Sequence, residues 1–299
     1  MSHTPSATAL QAYTFRFIRL ELMTESRKSP SVPITPVVDL DLDSEDEAIE
    51  SVPPGSNQYS LTSPDFRYSS SYNIYWEKIK NAPPEMQGIA YGDHDSEKHR
   101  GHWREQFRSS TGSVEEKQKL LHVEIGCNAG HVTLEWAKRN PDQLYIGIDW
   151  KFKIIYWFAE KIVKNGLKNC LTFRANAERL PFMFAPGEIN FLHMFFPDPW
   201  PKKAQMKNRT ANANWLRSIA PLLSRDGIFH LKTDHAEYFE FILEELKEVT
   251  DIFEIVEMTK DLHANNPDAK KLTIPEVTLF ERLFIKDGLP IHSVKLRHV

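Results

Sequence analysis

Leu121-His122-Val123-Glu124-Ile125-Gly126-Cys127-Asn128-Ala129-Gly130 decides how this chain folds. It reads as an apolar strand, a tight glycine turn and the start of a helix. A second apolar strand, Leu144 to Ile148, ends in Asp149. Strand, glycine loop, helix, strand and acid form the layout of a Rossmann-like nucleotide site, in which the terminal acid holds a ribose. The G-x-G-x-x-G of a NAD site is absent. The alternation continues, with strands expected at 121–125, 144–149, 170–174, 189–196, 227–233, 252–258 and 278–285. Helices are expected at 130–139, 151–165, 212–224 and 235–249. In the last of these, Phe239, Ile242, Leu246 and Val249 form a core-facing stripe. The fold class is α/β, with a mostly parallel sheet and helices on both faces.

Outward from that unit, the apolar run Ile189 to Phe196 stops at Pro197-Asp198-Pro199-Trp200-Pro201-Lys202-Lys203. Prolines cannot continue a sheet. They leave a carboxylate, an aromatic plate and two ammonium groups at a strand's carboxyl end, where open α/β sheets bind ligands. An acid accepts from the ring and amino N–H groups of a nucleobase, an aromatic ring stacks on it, and lysines suit phosphate.

Together these motifs resemble the tRNA (guanine-N7-)-methyltransferases of the bacterial TrmB type. The resemblance rests on Glu124-Ile125-Gly126, Asn140-Pro141, Ile146-Gly147-Ile148-Asp149, Phe195 to Lys202, Thr233-Asp234 and Thr278-Leu279-Phe280-Glu281-Arg282, in the family's order and at compatible spacing. Gly288 followed by Ile291 to Leu296 is similar to the family's C-terminal end. The resemblance covers about Leu120 to Arg297. It implies a class I, Rossmann-like methyltransferase domain that uses S-adenosylmethionine and acts on N7 of a guanine in tRNA, in the variable loop. Glu124, an acid ending the first strand, fits such a cofactor.

The resemblance also implies roles. Glu124, Gly126, Gly130, Asp149, Asn176, Ala177 and Asp198 are expected at the cofactor, with Asp198 the catalytic residue. Lys202, Asp234, Thr278 and Glu281 are expected at the substrate, and Lys203, Lys207 and Arg209 extend the basic strip. Residues three apart on a strand face opposite sides, so Thr278 and Glu281 share a substrate only if a bend intervenes. Trp200 either stacks on a base or packs. The local alternatives are a loop-capping role for Glu124, a turn acid bonded to its own backbone for Asp198, and a solvated charge run for the lysines.

The chain departs from the family at four kinds of place. Asn128 replaces a usual glycine, although asparagine tolerates positive φ. Asp149 stands where the family often has Glu. Asn176 replaces an acid and accepts hydrogen bonds only through a neutral carbonyl. Ala204, Gln205 and Asn208 thin the basic tract, which weakens phosphate contact. These departures motivate two rival readings: a homologue that binds cofactor or RNA without turnover, and a methyltransferase with a changed substrate.

The net charge of −4 is unevenly spread. Residues 1–56 hold 4 basic and 9 acidic side chains, leaving 33 basic against 32 acidic in the remainder, so local patches must bind any polyanion. The organisation expected is an acidic, disordered tail (1–56), a partly helical lead-in (57–119) and the methyltransferase domain (120–299). Met23 is a candidate alternative start. In the lead-in, Tyr72, Tyr75, Trp76 and Ile79 have helical spacing and Pro83-Pro84 ends it. Arg100, Arg104 and Arg108 would form one basic face if helical, and His94, His99 and His102 with two aspartates are read as a solvated loop rather than a metal site. Two cysteines, Cys127 and Cys170, support neither a disulfide framework nor a four-ligand zinc site. They fit buried thiols in a reducing cytoplasm. No apolar run reaches membrane-spanning length. No metal is expected, and the chain is expected as a monomer or homodimer.

Overall fold

Five residues with side chains alternating across the sheet, Leu121–Ile125 (β2), lie at the centre of an eight-stranded sheet. The computed structural model describes residues 59–68, 72–108 and 118–299. The expectations for residues 1–56 lie outside the described residues. In chain order the elements are α1 (Ile74–Lys80), β1 (Ala90–Gly92), α2 (Trp103–Gln106), β2, α3 (His131–Arg139), β3 (Leu144–Asp149), α4 (Phe152–Lys164), β4 (Cys170–Arg174) and α5 (Leu180–Met183). There follow β5 (Ile189–Phe195), α6 (Ala213–Ile219), β6 (Leu223–Thr233), α7 (Ala236–Lys247), β7 (Phe253–Thr259), α8 (Leu279–Lys286) and β8 (His292–His298). The strand order is β1-β4-β3-β2-β5-β6-β8-β7. The first six are parallel, and β8 runs antiparallel to both β6 and β7. This is the mostly parallel sheet expected from the sequence, with its connections reversing between β2 and β5, where ligands gather at strand ends.

Helices cover both faces. Phe158 and Ile162 of α4 and Leu134 of α3 pack with Tyr145, Cys127 and Cys170 on one side. On the other, Trp215 of α6 and Phe239, Ile242 and Leu246 of α7 bury against Leu192, Phe229 and Leu231. The expected α7 stripe is buried throughout, Val249 included. Both cysteines are buried thiols whose pKa is raised by desolvation.

One expected strand is a helix. Residues 278–285 read as a strand from their apolar content, yet Thr278 begins α8 with a capping box. Its hydroxyl accepts from the Glu281 N–H at 3.0 Å, and the Glu281 carboxylate accepts from the Thr278 N–H at 3.1 Å. The T-x-x-E spacing that carried the resemblance is itself a helix-start signal. The last strand of the chain is instead His292–His298, between β6 and β7.

The expected basic face of Arg100, Arg104 and Arg108 does not form, because α2 is a single turn. Each guanidinium braces backbone instead: Arg100 donates to Pro181 O, Arg104 to Lys119 O and Arg108 to Gln87 O. His94 and His102 sit beside Glu97 and Glu105, while His99 packs against Tyr91 and Trp103.

Candidate active site

The carboxyl ends of β2, β3 and β4 bring Glu124, Asp149 and Asn176 to one edge of the sheet. Glu124 is 6% exposed, and its carboxylate accepts a hydrogen bond from the Thr133 hydroxyl of α3. Burial raises its pKa to about 7, against the smaller lowering effects of that bond and of the Lys232 charge. Gly126 follows at φ 71°, and its N–H donates to Ile148 O at 2.8 Å, locking the turn to β3. A Cβ there would meet nothing within 4 Å, so the turn leaves open space on its outer side. Gly130 differs: at φ 72° it begins α3, and a Cβ would lie 2.1 Å from the Phe158 ring. Asn128 adopts φ 49° and bonds the Ala129 N–H through its own Oδ1 at 2.6 Å. The turn thus survives the change from glycine.

Asp149 accepts from the Lys151 N–H at 3.0 Å, and burial raises its pKa. Asn176 caps the turn Ala177–Arg179, its Oδ1 accepting from Glu178 N–H at 2.9 Å. Asn176 and Ala177 are both half-buried. One lone pair of the Asn176 carbonyl and both amide hydrogens are left for a ligand. An open cradle over Gly126, flanked by two carboxylates and an amide at successive strand ends, fits an adenosyl cofactor with a cationic amino-acid end.

Beyond β5 the chain turns sharply, with Phe196 at φ 53° and Trp200 at φ 43°. Asp198 is exposed between them, and its carboxylate makes no hydrogen bond or ion pair among the described residues. Strained backbone that presents an unspent acid is a mark of functional sites. Trp200 is half-buried. Lys202 and Lys203 are exposed beside it, as is Lys207 in the turn that follows. Arg209, expected in the same basic strip, is not part of it. It is 2% exposed, donates to Pro199 O at 2.9 Å and packs against the rings of Tyr238 and Phe241. Asp234 follows β6 half-buried, with its pKa raised by burial.

Thr278 and Glu281 come to the same end of the sheet on the first turn of α8. They are 7% and 0% exposed. As helix residues three apart they share a face, which a strand would not have allowed. Glu281 also pairs with Lys232 on β6, at 3.0 Å, and with Nε2 of His263, at 2.6 Å. Sequence reasoning missed Lys232, His263 and Thr133. A lysine inside the apolar run of β6 was the available signal for the first; nothing local marks the other two.

With this geometry in view, comparisons with known proteins are specific. Residues 118–294 match the family model described as "Putative methyltransferase". The tRNA (guanine-N(7)-)-methyltransferase of Geobacillus kaustophilus is 33% identical over 219 residues, covering 72% of this chain and 94% of the relative. The chain belongs to the tRNA (guanine-N7-)-methyltransferase family. A second tRNA (guanine-N(7)-)-methyltransferase, from Bacillus cytotoxicus, is 32% identical over 202 residues, covering 68% and 86%. A solved antibiotic-related methyltransferase aligns with TM-score 0.46 at 19% identity, covering 62% of this chain and 91% of that one. Among the described residues no helix is long and apolar enough to cross a membrane.

Proposed function

We propose that this chain transfers the methyl group of S-adenosylmethionine to N7 of a guanine in the variable loop of tRNA, in the cytoplasm. The observation that carries the reading is the exposed, unspent carboxylate of Asp198 on a strained turn, at the same sheet edge as Glu124, Asp149 and Asn176. When bound, the cofactor supplies an electrophilic methyl on a sulfonium.

Guanine N7 carries a free lone pair and no proton, so transfer needs no general base. The protein's work is placement and electrostatic support. Glu124 and Gly126 hold the amino-acid end of the cofactor, Asp149 the ribose, and Asn176 with Ala177 the adenine. Asp198 accepts from the guanine edge or amino group and stabilises the positive charge that methylation places on the ring. Asp234 supports the same edge, and Lys202 meets a phosphate. Thr278 begins the wall on the α8 side, held in place by the buried Glu281. The base has to leave its stack to reach this edge, as chemistry on a nucleobase generally requires.

The deciding experiment is transfer of labelled methyl to unmodified tRNA, with the modified nucleoside identified by mass. N7-methylguanosine in the wild type and its loss in Asp198→Ala, with cofactor affinity retained, is the expected result. Full activity in Asp198→Ala removes that residue from the mechanism. Cofactor binding without transfer in the wild type rejects the activity and leaves a binding protein.

A further inference from the structure

Lys232 is the next-to-last residue of β6 and only 7% exposed. A lysine so placed loses most of its hydration, and only well-arranged partners offset that cost. Its Nζ lies 3.0 and 3.2 Å from the two oxygens of Glu281, which is fully buried. The same carboxylate takes Nε2 of His263 at 2.6 Å and the Thr278 N–H at 3.1 Å. One buried acid therefore joins β6, the segment between β7 and α8, and the first turn of α8. On its other side Lys232 reaches the catalytic turn. Its carbonyl accepts from the Phe196 N–H at 2.8 Å, and its ammonium stands 5.0 Å from the centre of the Phe195 ring. Asp234 follows two residues later in the chain.

We propose that Lys232 is a positioning residue of the transfer reaction, locking α8 and the preceding segment onto the strand ends that carry Asp198 and Asp234. The proposal deepens the activity given above and rests on it. Lys232 is assigned no substrate contact, since it is 7% exposed and its ammonium is paired with Glu281 beside the Phe195 ring. A buried ion pair gains little stability over apolar residues of equal size, so holding one geometry is the use that fits it. Glu281, with its carboxylate spent inside the protein, acts by fixing Thr278 and the helix start rather than as a free acceptor.

The test uses the full chain with three changes: Lys232→Met, Lys232→Arg, and Lys232→Met combined with Glu281→Gln. In Lys232→Met, kcat/KM for tRNA should fall about thirtyfold or more, while the cofactor Kd, read at pH 8 so that loss of the Lys232 charge beside Glu124 does not leave that acid protonated, changes by less than about threefold. Amide exchange across residues 260–279 should quicken by about tenfold, since that segment loses its anchor. Lys232→Arg should recover most of both losses. The double variant, which leaves no lone buried charge, should exchange more slowly than Lys232→Met. Unchanged kcat/KM and exchange in Lys232→Met overturns the proposal. So does a loss of cofactor affinity in step with kcat/KM, which would make Lys232 a general prop. If Lys232→Met does not fold, Glu281→Gln is read by the same exchange, and wild-type protection across 260–279 overturns the lock. A wild type inactive on tRNA defeats the activity, while the exchange result still decides the lock.

Discussion

Arg209 donates from Nε to the carbonyl oxygen of Pro199 at 2.9 Å, tying the turn that presents Asp198 to the segment that follows it. The guanidinium is buried against Tyr238 and Phe241, and no carboxylate lies within ion-pair distance among the described residues. Ring faces and one carbonyl replace its lost water. Its Nη1 has no hydrogen-bond partner among the described residues. A cation kept under these conditions is fixing a shape.

Arg209→Lys keeps the charge but loses the planar fork that reaches Pro199 while stacking on two rings. A hydrogen bond from a charged group contributes about 1.5–3 kcal/mol. Urea unfolding of Arg209→Lys should show a loss in that range. Methyl transfer should fall about tenfold with cofactor affinity unchanged, because only the turn bearing Asp198 loosens. Wild-type turnover in the destabilised variant would mean the turn keeps its shape without this tie.

The two glycines of the nucleotide loop should respond in opposite ways. At Gly130 an added Cβ lands 2.1 Å from the fully buried Phe158 ring, which has no room to move. Gly130→Ala should destabilise by about 3 kcal/mol or more, combining overpacking with the left-handed strain. Gly126→Ala meets only open space, so its stability cost should be about 1–2 kcal/mol from backbone strain alone. Its larger effect should be on cofactor affinity, since the methyl enters the cradle. Thermal melts and cofactor titration separate the two, and equal affinity in wild type and Gly126→Ala would place the cofactor elsewhere.

Much of this was legible in the sequence because strand and turn chemistry are local. The apolar runs leading to Glu124, Asp149 and Asp198 stop for reasons visible within a few residues, and the fold brings all three to one sheet edge. The α8 region was misread because Thr-Leu-Phe-Glu-Arg-Leu-Phe-Ile is rich enough in apolar residues to suit either period. The capping box decides for the helix, and its outcome moves Thr278 and Glu281 onto one face. Arg209 could not be told from its exposed lysine neighbours, since its burial depends on Tyr238 and Phe241, about thirty positions away. The Lys232–Glu281–His263 cluster was hidden for the same reason: its members meet only through tertiary structure.

A row of histidines crosses β2, β5 and β6 and makes acid stability a measurable property of the fold. His122 lies 3.3 Å from His193, and His230 packs edge-on to His193. Burial lowers His122 to about 4, His230 to about 3 and His193 well below its usual value, with the charges of Lys232 and Lys295 adding to the effect at the last two. All three are neutral when folded, so the unfolded chain takes up protons first as pH falls below about 6.5. Stability is therefore full above that value and falls toward pH 4, by about 1.4 kcal/mol per pH unit for each histidine. His193→Phe, matching its Phe191 and Phe195 neighbours, should flatten the decline in chemical denaturation between pH 6.5 and 4.5. An equally steep decline in the variant would assign acid sensitivity to other groups.

Glu124 supplies the opposite sign at the cofactor site. Its pKa is raised by burial to about 7, so near neutrality the free protein holds it partly protonated. Its contribution to stability is present below the usual carboxyl pKa and is lost as pH rises toward 7, because charging the buried acid is unfavourable. A cationic amino group brought against it favours the carboxylate. Binding below pH 7 must then expel a proton, and cofactor affinity should rise up to about tenfold per pH unit until it levels off near 7. Calorimetry in buffers of different ionisation enthalpy should record release of about one proton per cofactor at pH 6, fading as the pH rises through about 7, above which the cofactor's own amino group begins to titrate. Glu124→Gln should bind more weakly at pH 8 and lose the pH dependence. Affinity that is flat from pH 5.5 to 8 in the wild type would show that Glu124 does not meet the cofactor's charge, and would leave its bond to Thr133 as its whole role.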